Sequence, residues 1–141
     1  MRFQHNWHAH CIVSVATFAT ETNTVANDPL FGVHGTALAL RSQRMGLIAS
    51  NIANASTPGY KAKDIDFRAA LDTAARPSMD LDAAIDAETK FRIPLQMSQD
   101  GNTVELATEQ TAFAENAVAY QTTLSFLNGR IDTLKRALKG E

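Results

Sequence analysis

The sequence predicts an all-α fold in which two long terminal helices form an antiparallel, coiled-coil-like hairpin. Two observations support this prediction: apolar residues recur at helical spacing over residues 30–56, and near the C-terminus a second set recurs every 3.5 residues. Residues 61–101 lie between them and show no long period. We therefore expect an irregular middle segment, which can include a short β element, between the two helices.

Composition limits the function classes. The chain has 141 residues, enough for one domain of ordinary size. Its net charge is −2 and no cluster of lysine and arginine dominates, which argues against a nucleic-acid binding protein. The single cysteine excludes an intramolecular disulfide framework. No run of about 18 apolar residues occurs, so the sequence predicts no direct membrane span.

Residues 1–27 differ in composition from the rest of the chain. As a secretory signal they are poor, because the charged start is a single arginine and serine and threonine interrupt the apolar run. His8, His10 and Cys11 are zinc ligand types but lie too close in sequence to share one tetrahedral centre, so we predict no metal site. We expect an extension that is either disordered or lies upstream of the true start near Val25.

The first long helix is predicted from Leu30 to about Ser56. Asp28 is a plausible N-cap, with Pro29 at the first helical position. One apolar stripe follows helical spacing and consists of Leu38, Met45, Ile48, Ile52 and Ala55. Leu40 and Leu47 form a second apolar face. A helix that is apolar on two faces should contact more than one neighbour.

The end of this helix carries two asparagines and a turn. Pro58 cannot continue a helix, Gly59 permits a left-handed turn, and Tyr60 can pack back on the helix end. Asn51 and Asn54 lie beside the apolar stripe. Either they cap the helix end locally, or they form a polar pair that fixes register against a neighbouring helix.

The middle segment contains only short patterns. Residues 68–75 are predicted to form a short helical turn, and residues 80–88 an acidic loop or weak helix. Residues 90–94 alternate in polarity and predict a short edge strand, where a proline is tolerated. The spacing of the aspartates in this segment does not match an EF-hand, so we predict no calcium site.

The second long helix is predicted from about Thr103 to Leu138, with a length of roughly 54 Å. Asn102 and Glu105 match the spacing of a capping box at its start. Alternating steps of four and three define an uninterrupted heptad seam. The seam, called the apolar seam below, consists of Phe113, Ala117, Tyr120, Leu124, Leu127, Ile131, Leu134 and Leu138.

A hairpin of two such helices is only marginally stable alone, because the conformational entropy lost in ordering about 60 helical residues outweighs the free energy gained by burying one apolar seam. Its surplus apolar faces predict that assembly with other subunits completes folding. Residues 28–60 and 102–139 are thus predicted to form a discontinuous helical core, and residues 61–101 a middle loop segment. The predicted assembly interface comprises Leu38, Met45, Ile48, Asn51, Ile52, Asn54, Phe113, Tyr120, Leu124, Leu127, Ile131, Leu134 and Leu138, with a turn at Pro58, Gly59 and Tyr60.

The sequence offers no enzymatic chemistry. We find no nucleophile–base pair, phosphate-binding loop or redox motif, and the aspartates of the middle segment form no positioned acid–base pair. We therefore predict neither catalytic residues nor a cofactor. Two non-enzymatic hypotheses stay open: a structural subunit that assembles through its terminal helices, and a small helical adaptor or export chaperone that binds partner helices.

Residues 49–60 read Ala-Ser-Asn-Ile-Ala-Asn-Ala-Ser-Thr-Pro-Gly-Tyr. This stretch resembles the N-terminal signature of the bacterial flagellar axial proteins, which form the rod, the hook and the hook-associated structures. The flanking residues 40–44 and 60–67, together with residues 100–104 and 114–121, make the resemblance strongest to the rod members.

The resemblance covers about residues 28–139 and implies a structural subunit of the basal-body rod that transmits torque. It also implies export in unfolded form by the flagellar type III apparatus and a place in the periplasmic space. The implied partners are copies of the chain and neighbouring rod and basal-body proteins. Both termini are expected in an inner helical layer, with the middle segment outward. Residues 1–27 depart from the family pattern.

Overall fold

The computed structural model describes residues 31–76, 79–95 and 98–140. These ranges contain four helices and two short strands. In chain order the elements are α1 (Gly32–Ala53), β1 (Lys63–Ile65), α2 (Phe67–Ala74), α3 (Leu81–Glu88), β2 (Thr89–Phe91) and α4 (Leu106–Lys139). The predicted cap at Asp28 and Pro29 and the calls on residues 1–27 lie outside the described residues.

The two long helices pack antiparallel. The start of α1 lies beside the C-terminal part of α4: a Cβ atom added to Gly32 would be 3.7 Å from Arg130 Nη1. The end of α1 lies beside the start of α4, where Asn51 Nδ2 donates to Glu109 Oε2 at 3.1 Å. The predicted all-α hairpin is confirmed. Within the described ranges, no helix is long and apolar enough to cross a membrane.

The middle segment contains a small antiparallel ladder, and both of its helices, α2 and α3, lie between the two strands in the chain. Strands β1 and β2 pair with Lys63 opposite Phe91 and Ile65 opposite Thr89, which confirms the short β element. Of the acidic residues 80–88, those from Leu81 onward form the two-turn helix α3.

The apolar core lies between α1 and the middle segment. Its buried side chains come from α1, β1, α2 and α3 and are Leu40, Ile65, Ala70 and Leu81. Leu47 and Phe67 pack against this cluster. The guanidinium of Arg41 lies 4.1 Å from the centre of the Phe67 ring, a cation–π contact that also joins α1 to α2. The second apolar face of α1 therefore belongs to the middle segment.

The predicted capping box at the start of α4 is wrong. The helix begins at Leu106, and Glu105 occupies the N-cap position without a side-chain cap. Asn102 Oδ1 accepts from Val104 N at 2.7 Å, which forms a turn before the helix. The Glu105 carboxylate instead accepts from Leu95 N at 2.6 Å. Neither side chain thus forms the cap that the local spacing predicted.

Candidate assembly interface

The residues of α4 that are fully buried form a polar line. Glu109, Asn116 and Thr123 are seven residues apart, and each meets α1. Asn51 Nδ2 donates to Glu109 at 3.1 Å, Asn116 Nδ2 donates to the Arg41 carbonyl at 2.8 Å, and Arg41 Nε donates to Thr123 Oγ1 at 3.1 Å. The two long helices are therefore registered inside the chain by hydrogen bonds, at heptad spacing.

The apolar seam lies next to this polar line and is less buried. All eight seam residues are described, and none is fully buried: seven are partly buried, and Leu138 is 89% exposed. The last three, Ile131, Leu134 and Leu138, follow Arg130, which is the residue of α4 that lies beside Gly32 at the start of α1. The most regular apolar pattern of the sequence is thus not the core of this chain.

The predicted stripe of α1 shows the same incomplete burial. Ile48 is fully buried, whereas Leu38, Met45 and Ile52, also seven residues apart, are only partly buried. At about 100° per residue, Met45 lies about 160° around the helix from Leu47, which packs on the middle segment. These three residues therefore point away from the middle segment.

The helix pair consequently has two different faces. The first carries the middle segment: on this side Thr122 of α4 lines a groove together with Phe67 of α2. Leu124 lies about 160° around α4 from Thr122, so the apolar seam belongs to the opposite face. Leu38, Met45 and Ile52 of α1 point to that opposite face as well. Apolar side chains from both helices thus gather on this opposite face, and the described chain buries them only in part.

Asn51 and Asn54 differ in their partners. Asn51 is 1% exposed, and its amide donates to the Lys63 carbonyl at 2.8 Å and accepts from Lys63 N at 3.1 Å, in addition to its bond to Glu109. Asn54 bonds locally, donating to the Ser50 carbonyl at 2.8 Å. Within the chain, Asn51 fixes the relation of α1 to β1 and α4, and Asn54 closes the helix end.

Asn102 closes the same helix end from a distance. Its Nδ2 lies 3.1, 2.9 and 3.0 Å from the carbonyl oxygens of Asn54, Ala55 and Thr57. Such carbonyls at a helix C-terminus have no partner within the helix. Nothing in the local sequence indicates this role, because the partners lie 45 to 48 residues earlier.

The turn after α1 pairs with the segment before α4. Gly59 has a φ of 72°, a left-handed conformation that favours glycine, and its N–H donates to the Asp100 carbonyl at 3.0 Å. Thr103 N donates to the Tyr60 carbonyl at 3.0 Å. The Tyr60 hydroxyl lies 3.3 Å from Ser50 Oγ, so this ring packs back on the helix end. The two stretches that carry the family resemblance are thus in direct contact.

A charged network joins the middle segment to both long helices. Asp64 accepts two hydrogen bonds from Arg44, both 2.8 Å, and one from Arg92 at 2.7 Å. Arg92 Nη1 also lies 3.1 Å from Oε1 of Glu109, whose side chain is fully buried. The geometry of this last contact is that of an ion pair without hydrogen-bond alignment. Two cations and two carboxylates balance each other, as buried charges require.

The network holds Asp64 in its ionised form. Burial alone would raise the pKa of Asp64, but the hydrogen bonds from Arg44 and Arg92 outweigh it and place the pKa below its ordinary value. The same hydrogen bond to Asp64 raises the pKa of Arg44. Both partners are therefore charged at neutral pH.

In the described part of the chain, no group of three or more His, Cys, Asp or Glu side chains is placed to hold a metal ion. His34 instead stacks on Phe126, with the ring centres 6.0 Å apart. The cluster of His8, His10 and Cys11 lies outside the described residues. The geometry described above holds helices and turns in register by hydrogen bonds and ion pairs.

Comparison with known proteins identifies a matching family model and several relatives of this chain. The family model described as "Flagella basal body rod protein" matches residues 31–61, which span α1 and the following turn. The flagellar basal body rod protein FlgB of Cereibacter sphaeroides is 50% identical over 120 residues, covering 78% of this chain and 94% of the relative. The FlgB proteins of Aeromonas hydrophila and Escherichia coli K12 are 41% and 40% identical, covering 83% and 73% of this chain and 98% and 88% of the relatives.

Proposed function

We propose, from the premise that this chain belongs to the FlgB family of flagellar basal body rod proteins, that its two long helices form the assembly core of a rod subunit. The chain is a structural subunit of the flagellar basal body rod and assembles with other basal body components. No finding favours a separate adaptor or export chaperone. What remains to assign is the surface through which it assembles.

The proposed core comprises residues 28–60 and 102–139, with residues 61–101 facing outward. One observation supports it above the others: the apolar seam of α4 is incompletely buried by its own chain. The stripe of α1 formed by Leu38, Met45 and Ile52 adds apolar surface on the same face. Burying both against helices of neighbouring subunits would return about 25 cal/mol for each Å² of apolar surface removed from water.

The proposed partners are other copies of this chain and neighbouring rod and basal-body proteins. Many parallel helix contacts of this kind transmit torque without chemistry. Export in unfolded form by the flagellar type III apparatus fits a helix pair whose seam has no complete partner before assembly. Circular dichroism of the purified chain should then give less helix than the described helices contain, and a fully helical monomer would contradict this part of the proposal.

The decisive experiment places charge on the seam. Leu124→Asp combined with Leu127→Asp should abolish rod assembly and motility, because each carboxylate would have to be buried without a partner. The matched control is Ser125→Asp combined with Asn128→Asp, which adds the same charge at exposed positions of the same helix. Rod formation is measured by electron microscopy of isolated basal bodies, and motility by swimming assays. Normal motility of the seam variant would refute the proposal.

A further inference from the structure

The two strands of the small ladder differ in what lies along their outer edges. In an antiparallel ladder, pairs that exchange hydrogen bonds alternate with pairs that do not. Arg92 N donates to the Ala62 carbonyl at 2.8 Å, so these two residues form a hydrogen-bonded pair. The next pair, Lys63 opposite Phe91, is therefore not hydrogen-bonded across the ladder. The backbone N–H and C=O groups of Lys63 and Phe91 point outward, each to its own edge.

The outer edge of β1 is closed by α1. The side-chain amide of Asn51 donates to the Lys63 carbonyl at 2.8 Å and accepts from Lys63 N at 3.1 Å. A carboxamide supplies one donor and one acceptor in this way, as the backbone of a neighbouring strand would. Helix α1 thus occupies the place of a third strand on this side, and the ladder cannot be extended beyond β1.

The outer edge of β2 is open. Within residues 31–76, 79–95 and 98–140, no hydrogen bond is formed to the backbone of Phe91. Phe91, Ile93 and Leu95 are 66%, 88% and 90% exposed, whereas Arg92 and Pro94 between them are partly buried. This alternation is that of extended backbone, in which every second side chain points to the same side. We call Phe91, Ile93 and Leu95 the apolar strip.

The open edge is held in a fixed position. The Arg92 side chain reaches Asp64 at 2.7 Å and Glu109 at 3.1 Å. Leu95 N donates to the Glu105 carboxylate at 2.6 Å. Unpaired backbone groups along an ordered edge strand are a template for a further strand, and their prior ordering lowers the entropic cost of binding.

A cation lies over the apolar strip. Lys63 Nζ is 5.5 Å from the centre of the Phe91 ring, and the Lys63 side chain is otherwise exposed. In the described part of the chain, no carboxylate lies within ion-pair distance of Lys63 Nζ. A positive charge beside an apolar surface favours a partner that carries a carboxylate, because complementary charge sets the specificity of an interface.

Charge also disfavours the simplest pairing between two copies of this chain. If β2 of two copies paired antiparallel about Phe91, Lys90 of each copy would lie opposite Arg92 of the other. The two Lys63 ammonium groups would also approach each other across the new pair. Like charges directly opposite each other destabilise a strand pair. The partner of this edge is therefore a segment of a different protein.

We infer that the open edge of β2 accepts an extended segment of a different protein as an added antiparallel strand. The segment carries apolar side chains against the apolar strip and a carboxylate next to Lys63. In such strand addition, backbone hydrogen bonds supply affinity and the side chains supply specificity. The inference goes beyond the proposed rod subunit, and it uses neither the apolar seam nor the stripe of α1.

A pair of methylated peptides tests the backbone part of the inference. The probe is Glu-Thr-Val-Thr-Val-Thr-Glu, in which glutamate and valine share one face. In an antiparallel pair, the probe residues that bond Phe91 lie on the same face as its side chain. Methyl groups on the valine nitrogens therefore block pairing when the valines cover the strip. Methyl groups on the threonine nitrogens face away and leave pairing intact.

Binding to the full chain is measured by fluorescence anisotropy of labelled peptides. We expect the threonine-methylated peptide to bind at least about tenfold more tightly than the valine-methylated peptide, which has the same composition. Equal affinities of the two peptides, or no binding by either, would overturn the inference, because apolar contact without strand pairing does not distinguish the two nitrogens.

A charge exchange tests the choice of an acidic partner. The threonine-methylated peptide should bind at least about tenfold more weakly when lysine replaces both of its glutamates. In Lys63→Glu, which alters an exposed side chain, this preference should reverse. Lys135→Glu makes the same change at an exposed position of α4 and should keep the original preference. An unchanged preference in Lys63→Glu would refute an acidic partner at this edge.

Photo-crosslinking in isolated basal bodies tests the inference on the assembled protein. A benzophenone amino acid replaces Ile93, or Gln99 as an exposed control off the strip. At least about tenfold more product should form from position 93, joined to a carboxylate-bearing segment of a different basal-body protein. Equal yields from the two positions, or a product that joins two copies of this chain, would overturn the inference.

The outcomes are separate from those of the seam proposal. If Leu124→Asp with Leu127→Asp abolishes rods and the two methylated peptides differ as expected, both proposals stand. If the seam variant assembles normally and the peptides still differ, the seam proposal fails and strand addition stands. If the seam variant forms no rods and the peptides bind equally, only the seam proposal stands.

Discussion

Along α4, the polar line of Glu109, Asn116 and Thr123 is more buried than the apolar seam beside it. Hydrophobicity alone predicts the reverse. The difference reflects what each line does for the molecule. Polar pairs are directional and fix one register between α1 and α4, whereas apolar burial is non-directional and scales with area. The chain thus uses directional bonds to set its own shape and leaves the apolar seam incompletely buried.

The largest effect on stability is expected from a substitution that removes the cation paired with Glu109 of the polar line. Arg92→Leu leaves the fully buried Glu109 without its cation, and we expect a loss of about 3–5 kcal/mol in the free energy of unfolding. Urea unfolding followed by circular dichroism measures this loss.

The control for that variant is the double substitution of Arg92→Leu and Glu109→Leu, which removes both charges. Replacing a buried ion pair by apolar side chains is often neutral, so the double variant should be more stable than the single one. If the two variants were equally unstable, the ion pair would not be what fixes the middle segment on α4.

A smaller effect should follow from Asn102→Ala, which removes the donor shared by three carbonyls at the end of α1. Losing the hydrogen bonds from this amide should cost about 0.5–1.5 kcal/mol, since the carbonyls of Asn54 and Thr57 keep backbone partners, and the end of α1 should fray. Hydrogen exchange at the amides of residues 50–53 measures the fraying directly. The control is Asn128→Ala, an exposed position on α4, which should change neither exchange nor stability. Unchanged protection in the Asn102 variant would mean that water serves these carbonyls equally well.

The sequence predicted what depends on neighbouring residues. The stop of α1 before Pro58, the left-handed turn at Gly59 and the heptad spacing of α4 all follow from local backbone chemistry and periodicity. The strand near residue 90 was also predicted from its alternation and lies at Thr89–Phe91. The assembly role of the seam residues stays a prediction, since a single chain cannot test it.

What the sequence could not provide are contacts between distant residues. The pairing of Asn51 with Glu109 spans 58 positions, and neither residue has a local feature that names the other. Asn102 was predicted wrongly because its spacing to Glu105 satisfies a capping box, whereas its Oδ1 accepts from Val104 N and its Nδ2 donates to the carbonyls at the end of α1. The burial of the apolar seam could not be predicted either. Heptad spacing identifies an apolar line on a helix, but it does not show whether the same chain or a neighbour covers that line.

The smallest effect concerns pH and sharpens the comparison between the two lines. The pKa of Asp64 is lower in the folded chain than its ordinary value, because hydrogen bonds from Arg44 and Arg92 outweigh the effect of burial. A carboxylate with a lowered folded pKa stabilises the fold above its unfolded pKa of about 3.9, and loses that contribution as the pH falls through the folded value. Stability should therefore decline in acid more steeply in the natural chain than in Asp64→Asn. Asp82→Asn, at an exposed position of α3, should keep the natural slope. The apolar seam carries no carboxylate, so its contacts should not contribute to this loss of stability in acid. The free energy of unfolding is measured by urea titration between neutral and acid pH. If it fell equally steeply in the natural chain and in Asp64→Asn, Asp64 would not contribute to holding the middle segment in place.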